Sequence, residues 1–209
     1  MTGEPWPVPP ASEVVTYFRR SLEAGARQED RHRSEGQPGP DQIDSGGPMQ
    51  LLVELLLSNL KQWEFEDVTR TPGVDDATIA QAKRSIDHLN LERHRLAERV
   101  DAAIDAALVQ STTATPSTES PAMAFDRLSV LAIRLDRTQR AAGMAGNGGG
   151  DFGWRLLRLS AQLEGLATAI DALLEDVRAG RRRFVPYEHL KLYGPETPHP
   201  KRADGTRRG

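Results

Sequence analysis

Ile79, Ala82, Ile86, Leu89, Leu96 and Val100 recur at alternating steps of three and four, the seam of one long helix packed among others. The position that this rhythm reserves between Leu89 and Leu96 holds Arg93. A guanidinium is charged at every physiological pH, and burying it alone costs an energy comparable with the net stability of a small domain. The seam therefore demands a polar partner inside the helical packing. Asp87 and Asn90 lie on neighbouring faces of the same helix, and Asp136 and Gln139 lie on a later one.

The remaining periodicity is also helical. Residues 49–68 are leucine-rich and end at the Thr71-Pro72-Gly73 breaker, after which Asp75 or Asp76 caps a helix running to about residue 110. A Ser/Thr/Pro loop spans 111–121, and the next helix covers 123–142 with Phe125, Leu128, Leu131 and Leu135 inward. The glycine-rich stretch 143–150 reads as a connector, because no strand precedes it and no lysine follows it, as a phosphate loop requires. Phe152, Leu156, Leu159, Leu163, Leu166, Ile170, Leu173 and Val177 then mark a last long helix, closed by Gly180. Nothing resembles an alternating strand pattern. The expected fold is all-α: an antiparallel four-helix bundle with long helices, a short extra N-terminal helix through Val14, Val15, Phe18 and Leu22, and an irregular C-terminal tail. The expected divisions are an N-terminal segment, 1–47, with a short helix and a flexible linker; a bundle domain with a docked tail, 48–195; and a disordered basic end, 196–209.

Composition narrows the classes of function. The chain has no cysteine, which rules out disulfides, thiolate nucleophiles and Cys-ligated zinc or iron–sulfur centres in these residues. No stretch approaches the ~18 apolar residues of a membrane span, and Met1-Thr2-Gly3-Glu4-Pro5-Trp6 is not a basic region leading into an apolar one. A cytoplasmic protein without a membrane partner is expected. Residues 178–209 carry nine Lys and Arg against three acids, a balance of +6, while the rest of the chain carries −9. Such an end most simply folds back on the acidic body or stays solvated, so nucleic acid is not the expected partner.

Four polar motifs stand out in order. They are Asn59-x-x-x-Trp63-x-x-Glu66-Asp67; Lys83-Arg84-x-Ile86-Asp87-x-Leu89-Asn90-x-x-Arg93; Glu119-x-Pro121 leading into Asp126-Arg127-Leu128-Ser129; and Arg183-Phe184-x-x-Tyr187-x-x-x-Lys191-x-Tyr193. Their order and spacing resemble a bacterial family, domain of unknown function 4254 (DUF4254), over about residues 50–195. Two departures mark this chain: Ser117-Thr118-Glu119-Ser120-Pro121-Ala122 replaces the family's Asn-Ser-Glu-Thr-Pro-Gly, and Arg93-His94 replaces its Arg-Asn. That family has no established activity, so the resemblance implies a fold and candidate residues and leaves the reaction and any cofactor open.

Levelling antiparallel helices at ~1.5 Å per residue places Asn59 opposite Asp87, Trp63 opposite Lys83, and Glu66 and Asp67 near Lys83 and Arg84. Within this central site Arg93 is the anchor for a small anionic or polar ligand, because its fork grips a carboxylate or phosphate bidentately. Asp87 and Asn90 would orient the ligand and Trp63 would wall it. Glu119, Asp126, Arg127, Arg183, Tyr187, Lys191 and Tyr193 gather at the other end of the bundle, roughly 20 Å from Asn90 by the same levelling. In an enzyme, Asp87, Glu66 or Glu119 would be the general acid or base. In a non-enzymatic protein the polar layer would only fix helix register, and the heptad faces would serve a homo-oligomer or another partner. Glu64-x-x-Asp67 and Glu98-x-x-Asp101 loosely resemble the magnesium-holding pairs of all-helical nucleoside triphosphate pyrophosphatases. Levelling separates them by ~28 Å, so no metal centre is expected.

Overall fold

The computed structural model describes residues 9–34, 47–145 and 152–190, and five helices make up most of them. These are α1 (Ala11–Ser34), α2 (Pro48–Arg70), α3 (Asp76–Ala107), α4 (Pro121–Ala145) and α5 (Phe152–Arg178). Two short strands, β1 (Thr115–Pro116) and β2 (Arg182–Arg183), pair in parallel. The protein is all-α. The expected disordered end, residues 35–46 of the linker expected over 24–48, and most of the glycine connector fall outside the described residues, while residues 24–34 of that linker are helical.

Local chemistry sets the boundaries of the central hairpin. Pro48 stands in the first turn of α2, where its missing N–H costs nothing. Thr71, constrained by the following proline, is extended and ends α2, and Gly73 adopts the left-handed region at φ 82°. Asp75 then caps α3, accepting from the Thr78 N–H at 2.9 Å and the Thr78 hydroxyl at 2.8 Å. These bonds to its ionised form hold its carboxyl below the ordinary value. α3 stops at Ala107, short of the expected residue 110, because the chain must turn there to enter β1.

α2 lies along α3 and α4 lies along α5, while α2 and α3 both touch α4. Leu52 and Leu56, Val100 and Ile104, Phe125 and Leu128, and Leu163 and Ile170 bring the four helices into one core. The N-terminal helix departs from expectation. It runs to Ser34, twelve residues beyond Leu22, since a nucleated helix propagates through charged residues. It is also no appendage: Ala11, Val14, Phe18 and Leu22 are buried in the same core against α4 and α5, and the Ala11 N–H donates to Asp171 Oδ1 at 2.7 Å.

After α5 the left-handed Gly180 turns the chain, and the Arg181 N–H closes on the Asp176 carbonyl at 2.8 Å. β2 then lies beside β1, with the Ser117 N–H donating to the Arg183 carbonyl at 2.7 Å, and Phe184 enters the core. No helix among the described residues is long and apolar enough to cross a membrane.

Because Phe18 is fully buried, Phe18→Ala should cost about 3–5 kcal/mol in urea unfolding of the full chain. A cost under about 1 kcal/mol would show that α1 is peripheral to the cooperative unit.

Candidate functional site: a buried polar layer under a C-terminal strap

The partner of Arg93 comes from α4. Its Nη1 lies 3.6 Å from Asp126 Oδ2, an ion pair longer than a hydrogen bond, and its side chain is 25% exposed. The other Asp126 oxygen accepts from Asn59 Nδ2 of α2 at 2.8 Å. The same amide donates to Ser129 Oγ at 2.8 Å, and the Ser129 hydroxyl donates to the Asp126 carbonyl at 2.8 Å. Asn59, Asp126 and Ser129 are buried, so a closed polar layer joins α2, α3 and α4. One group in it is left open: Arg93 Nε is out of solvent and has no hydrogen-bond partner among the described residues.

This arrangement corrects the levelling. α4 does not start beside the end of α3, because the connection turns back and the Ala122 N–H donates to Asp101 Oδ1 at 2.8 Å. Asp126, one turn into α4, is thereby brought beside Arg93, and the two sites expected some 20 Å apart share this ion pair. Asp136, another expected partner, is held by Arg140 at 2.8 and 3.0 Å.

The other expected residues divide by helix face. Trp63 packs half-buried against the core, and Asn90 is half-buried. Asp87 and Lys83 are exposed, because each sits next to a seam residue, Ile86 or Ala82, and is turned ~100° away from it. Glu66 and Asp67 pair with Arg70 of their own helix, and Arg84 donates to Gln81, so the expected contacts across the hairpin turn are absent. Glu119 pairs with Arg127 near the surface rather than with the tail. Arg183 is half-buried in the strand pair, with its Nε out of solvent and unbonded among the described residues. Lys191 and Tyr193 lie outside the described residues.

Beyond β2 the chain becomes a strap laid along α3, and it is held through its main chain. The Phe184 N–H donates to Gln110 Oε1 at 2.7 Å, the Tyr187 N–H to Asp101 Oδ2 at 2.8 Å, and the His189 N–H to Glu98 Oε1 at 2.7 Å. The pair that resembles a magnesium site, Glu98 and Asp101, is thus occupied in accepting N–H groups. The tail's basic residues find their acid in Asp176, which takes Arg181 Nε at 2.7 Å and Arg182 Nε at 3.3 Å. The Arg181 hydrogen bond is the main cause that holds its carboxyl below the ordinary range.

Next to Arg93, His94 meets the strap. Tyr187 Oη lies 2.8 Å from His94 Nδ1, and the His94 and His189 rings stack at 4.0 Å, only 5° from parallel. Burial, then the neighbouring His189 and Arg93, push the His94 pKa down, while burial pushes the Tyr187 phenol up. At neutral pH both are therefore uncharged, and the imidazole tautomer sets which of the two donates in this bond. Asp101 is fully buried, and burial raises its pKa against the opposing hydrogen bonds from Ser120, Tyr187 and Ala122.

Sequence reading missed Asp101, Glu98, His94, His189 and Ser129 as members of this assembly. Asp101 carried the same signal as Arg93: it follows Arg93 and Ala97 at steps of four, a charge on a buried stripe. The histidine stack had no local signal, since its members stand 95 residues apart.

Fold and layer together define an all-α protein whose buried carboxylate–guanidinium–amide layer is flanked by its own C-terminal strap. The family model described as a protein of unknown function, DUF4254, matches residues 49–185, and the chain belongs to that family. No curated protein and no solved structure matches it. The match takes in the whole layer and leaves α1, Tyr187 and His189 outside.

The His94 pKa is depressed in the folded protein, so its contribution to stability is complete above about pH 6.5 and is lost as pH falls toward the folded value. The urea midpoint should therefore drop between about pH 7.5 and pH 5.5, and His94→Gln should reduce that drop. An unchanged drop in the variant would remove His94 from the account. Asp101, with its raised pKa, acts in the opposite sense in the window just above 3.8.

Proposed function

We propose that the protein is cytoplasmic, that α2 to α5 form an antiparallel four-helix bundle, and that the layer binds a small anionic ligand at Arg93. The bundle arrangement is supported by the tight turn between α2 and α3 and by the bond from Ser58 Oγ to the Leu89 carbonyl, which ties these helices side by side. The ligand is a carboxylate or a phosphate. One observation carries this reading: the guanidinium is three-quarters buried, meets Asp126 at 3.6 Å, and among the described residues keeps its Nε without a partner. A buried donor left unbonded costs about 1–3 kcal/mol, and an oxyanion at the Nε edge relieves that cost. Trp63 and the His94–Tyr187 pair supply the walls. None of the three carboxylates expected to act as acid or base belongs to the layer, so binding is proposed here and a reaction is not.

The rival reading is that the layer only fixes helix register, and the satisfied Asn59–Asp126–Ser129 triangle favours it. A thermal-shift panel of phosphate, pyrophosphate, sugar phosphates and di- and tricarboxylates separates the two. A ligand present at a hundred times its Kd adds about 2.7 kcal/mol to the native protein. The double variant Arg93→Leu/Asp126→Leu should remain folded and lose this stabilisation. If no compound stabilises the native chain and the double variant gains ~1–4 kcal/mol, as replaced buried ion pairs can, the register reading holds.

A further inference from the structure

The strap is held in two ways along its length. Next to β2, the Phe184 N–H is bonded to Gln110, the Tyr187 N–H is bonded to Asp101, and the Phe184 ring is buried in the core. No imidazole takes part there. Beyond the Tyr187 main chain, the hold consists of the His94–His189 stack at 4.0 Å, the phenol between the two rings, and the His189 N–H bond to Glu98 Oε1. Tyr187 Oη lies 2.8 Å from His94 Nδ1 and 3.5 Å from His189 Nδ1, while Glu188 and Leu190 are exposed. Only this far part of the strap is built on imidazoles, the side chains that titrate near neutral pH.

The groups facing His94 are Arg93 and Glu98 of its own helix, Asp126 of α4, and Tyr187 and His189 of the strap. Burial is the largest cause that keeps a proton off His94, His189 is the next and Arg93 the third, while Asp126 and Glu98 act in the opposite sense. The strap supplies His189 outright and, by covering the ring, part of the burial. Lifting the far part of the strap therefore returns His94 to water. It also frees Glu98, one turn along α3, to face an imidazolium. The lifted form takes up a proton at His94 more readily than the docked form, so by linkage a fall in pH through about 6.5 favours lifting. The other end of the strap stays in place, and Tyr187 is the hinge.

The hinge residue stands beside the polar layer. Its phenol feels the charges of Arg93 and Asp126 as well as that of Glu98. We propose that residues 187–190 form an acid-released latch beside Arg93, docked on α3 while His94 is neutral and lifted when His94 takes a proton, and that lifting opens the layer to anions. The latch itself stands on the histidine stack; its effect on anions rests on the reading of Arg93 as an anion site. Once the phenol withdraws, the guanidinium is more accessible and the His94 charge adds to its own. Anions then bind more tightly in acid.

Hydrogen exchange of the full chain, corrected for the intrinsic pH dependence of amide exchange, reads the latch. Between about pH 7.5 and 5.5 the protection of the His189 amide should fall about tenfold, the gain from freeing one imidazole of ordinary basicity, while that of the Phe184 amide changes less than about twofold. His94→Gln should abolish the fall. Calorimetric titration with sulfate, whose charge is constant over this range, reads the consequence at fixed ionic strength. Its Kd should tighten at least about fivefold toward the acid end, the lower limit of ordinary coupling between sites, and His94→Gln should flatten that profile. The latch is overturned if His189 keeps its protection, if Phe184 loses protection equally, or if the fall survives His94→Gln. A sulfate Kd that stays constant while the latch opens overturns its effect on anions. Absence of sulfate binding at every pH removes the anion reading of Arg93, and the exchange result then decides the latch alone.

Discussion

The fold turns on the carboxylate of Asp101. It is wholly buried, and each of its oxygens accepts one main-chain N–H, from Ala122 at the start of α4 and from Tyr187 in the strap. Burying a carboxylate without compensation costs several kcal/mol, so these donors are structural requirements rather than ornaments. They fix where two separate segments meet α3. With Ala122 held at Asp101, Asp126 is brought near Arg93, and Asn59 then donates to its carboxylate while the Ser129 hydroxyl donates to its main-chain carbonyl.

Two consecutive residues of α3 serve different neighbours. Arg93 turns to Asp126 of α4, and His94 turns to Tyr187 and His189 of the strap. The layer and the strap are therefore coupled electrostatically, because the Arg93 charge is one reason His94 stays unprotonated. A negative ligand at Arg93 would weaken that effect and make His94 more basic. The strap's hold on α3 through main-chain N–H groups leaves most of its side chains free to vary, with Phe184 and Tyr187 giving the apolar anchorage.

The helices were legible in the sequence because each shows an apolar stripe of the helical period, and the intrusion of Arg93 into one stripe announced a polar layer. The identity of its partner was not legible. It depends on how far the connection between α3 and α4 turns back, and that is set by a hydrogen bond between a side chain and a main-chain group 21 positions along the chain. Asp87 and Lys83 looked like site residues from their motif, but their place on the helical wheel, one step from Ile86 and Ala82, puts them in solvent. The docking of α1 was half legible: its stripe of Val14, Phe18 and Leu22 was plain, while its target helices lie more than a hundred residues away.

The bond between Ala11 and Asp171 joins residues 160 positions apart, and it gives the protein a particular history in the cell. At synthesis rates of about 5–20 residues per second, α1 leaves the ribosome on the order of ten seconds before the helix that covers it. Until α4 and α5 follow, Val14, Phe18 and Leu22 lack most of the native surface they bury against. The opposite face, with Glu13, Arg19, Arg20 and Glu23, keeps such a lone amphipathic helix in solution. α1 is fully housed only once α5 is made, and the pace of translation sets how long it is visible to chaperones.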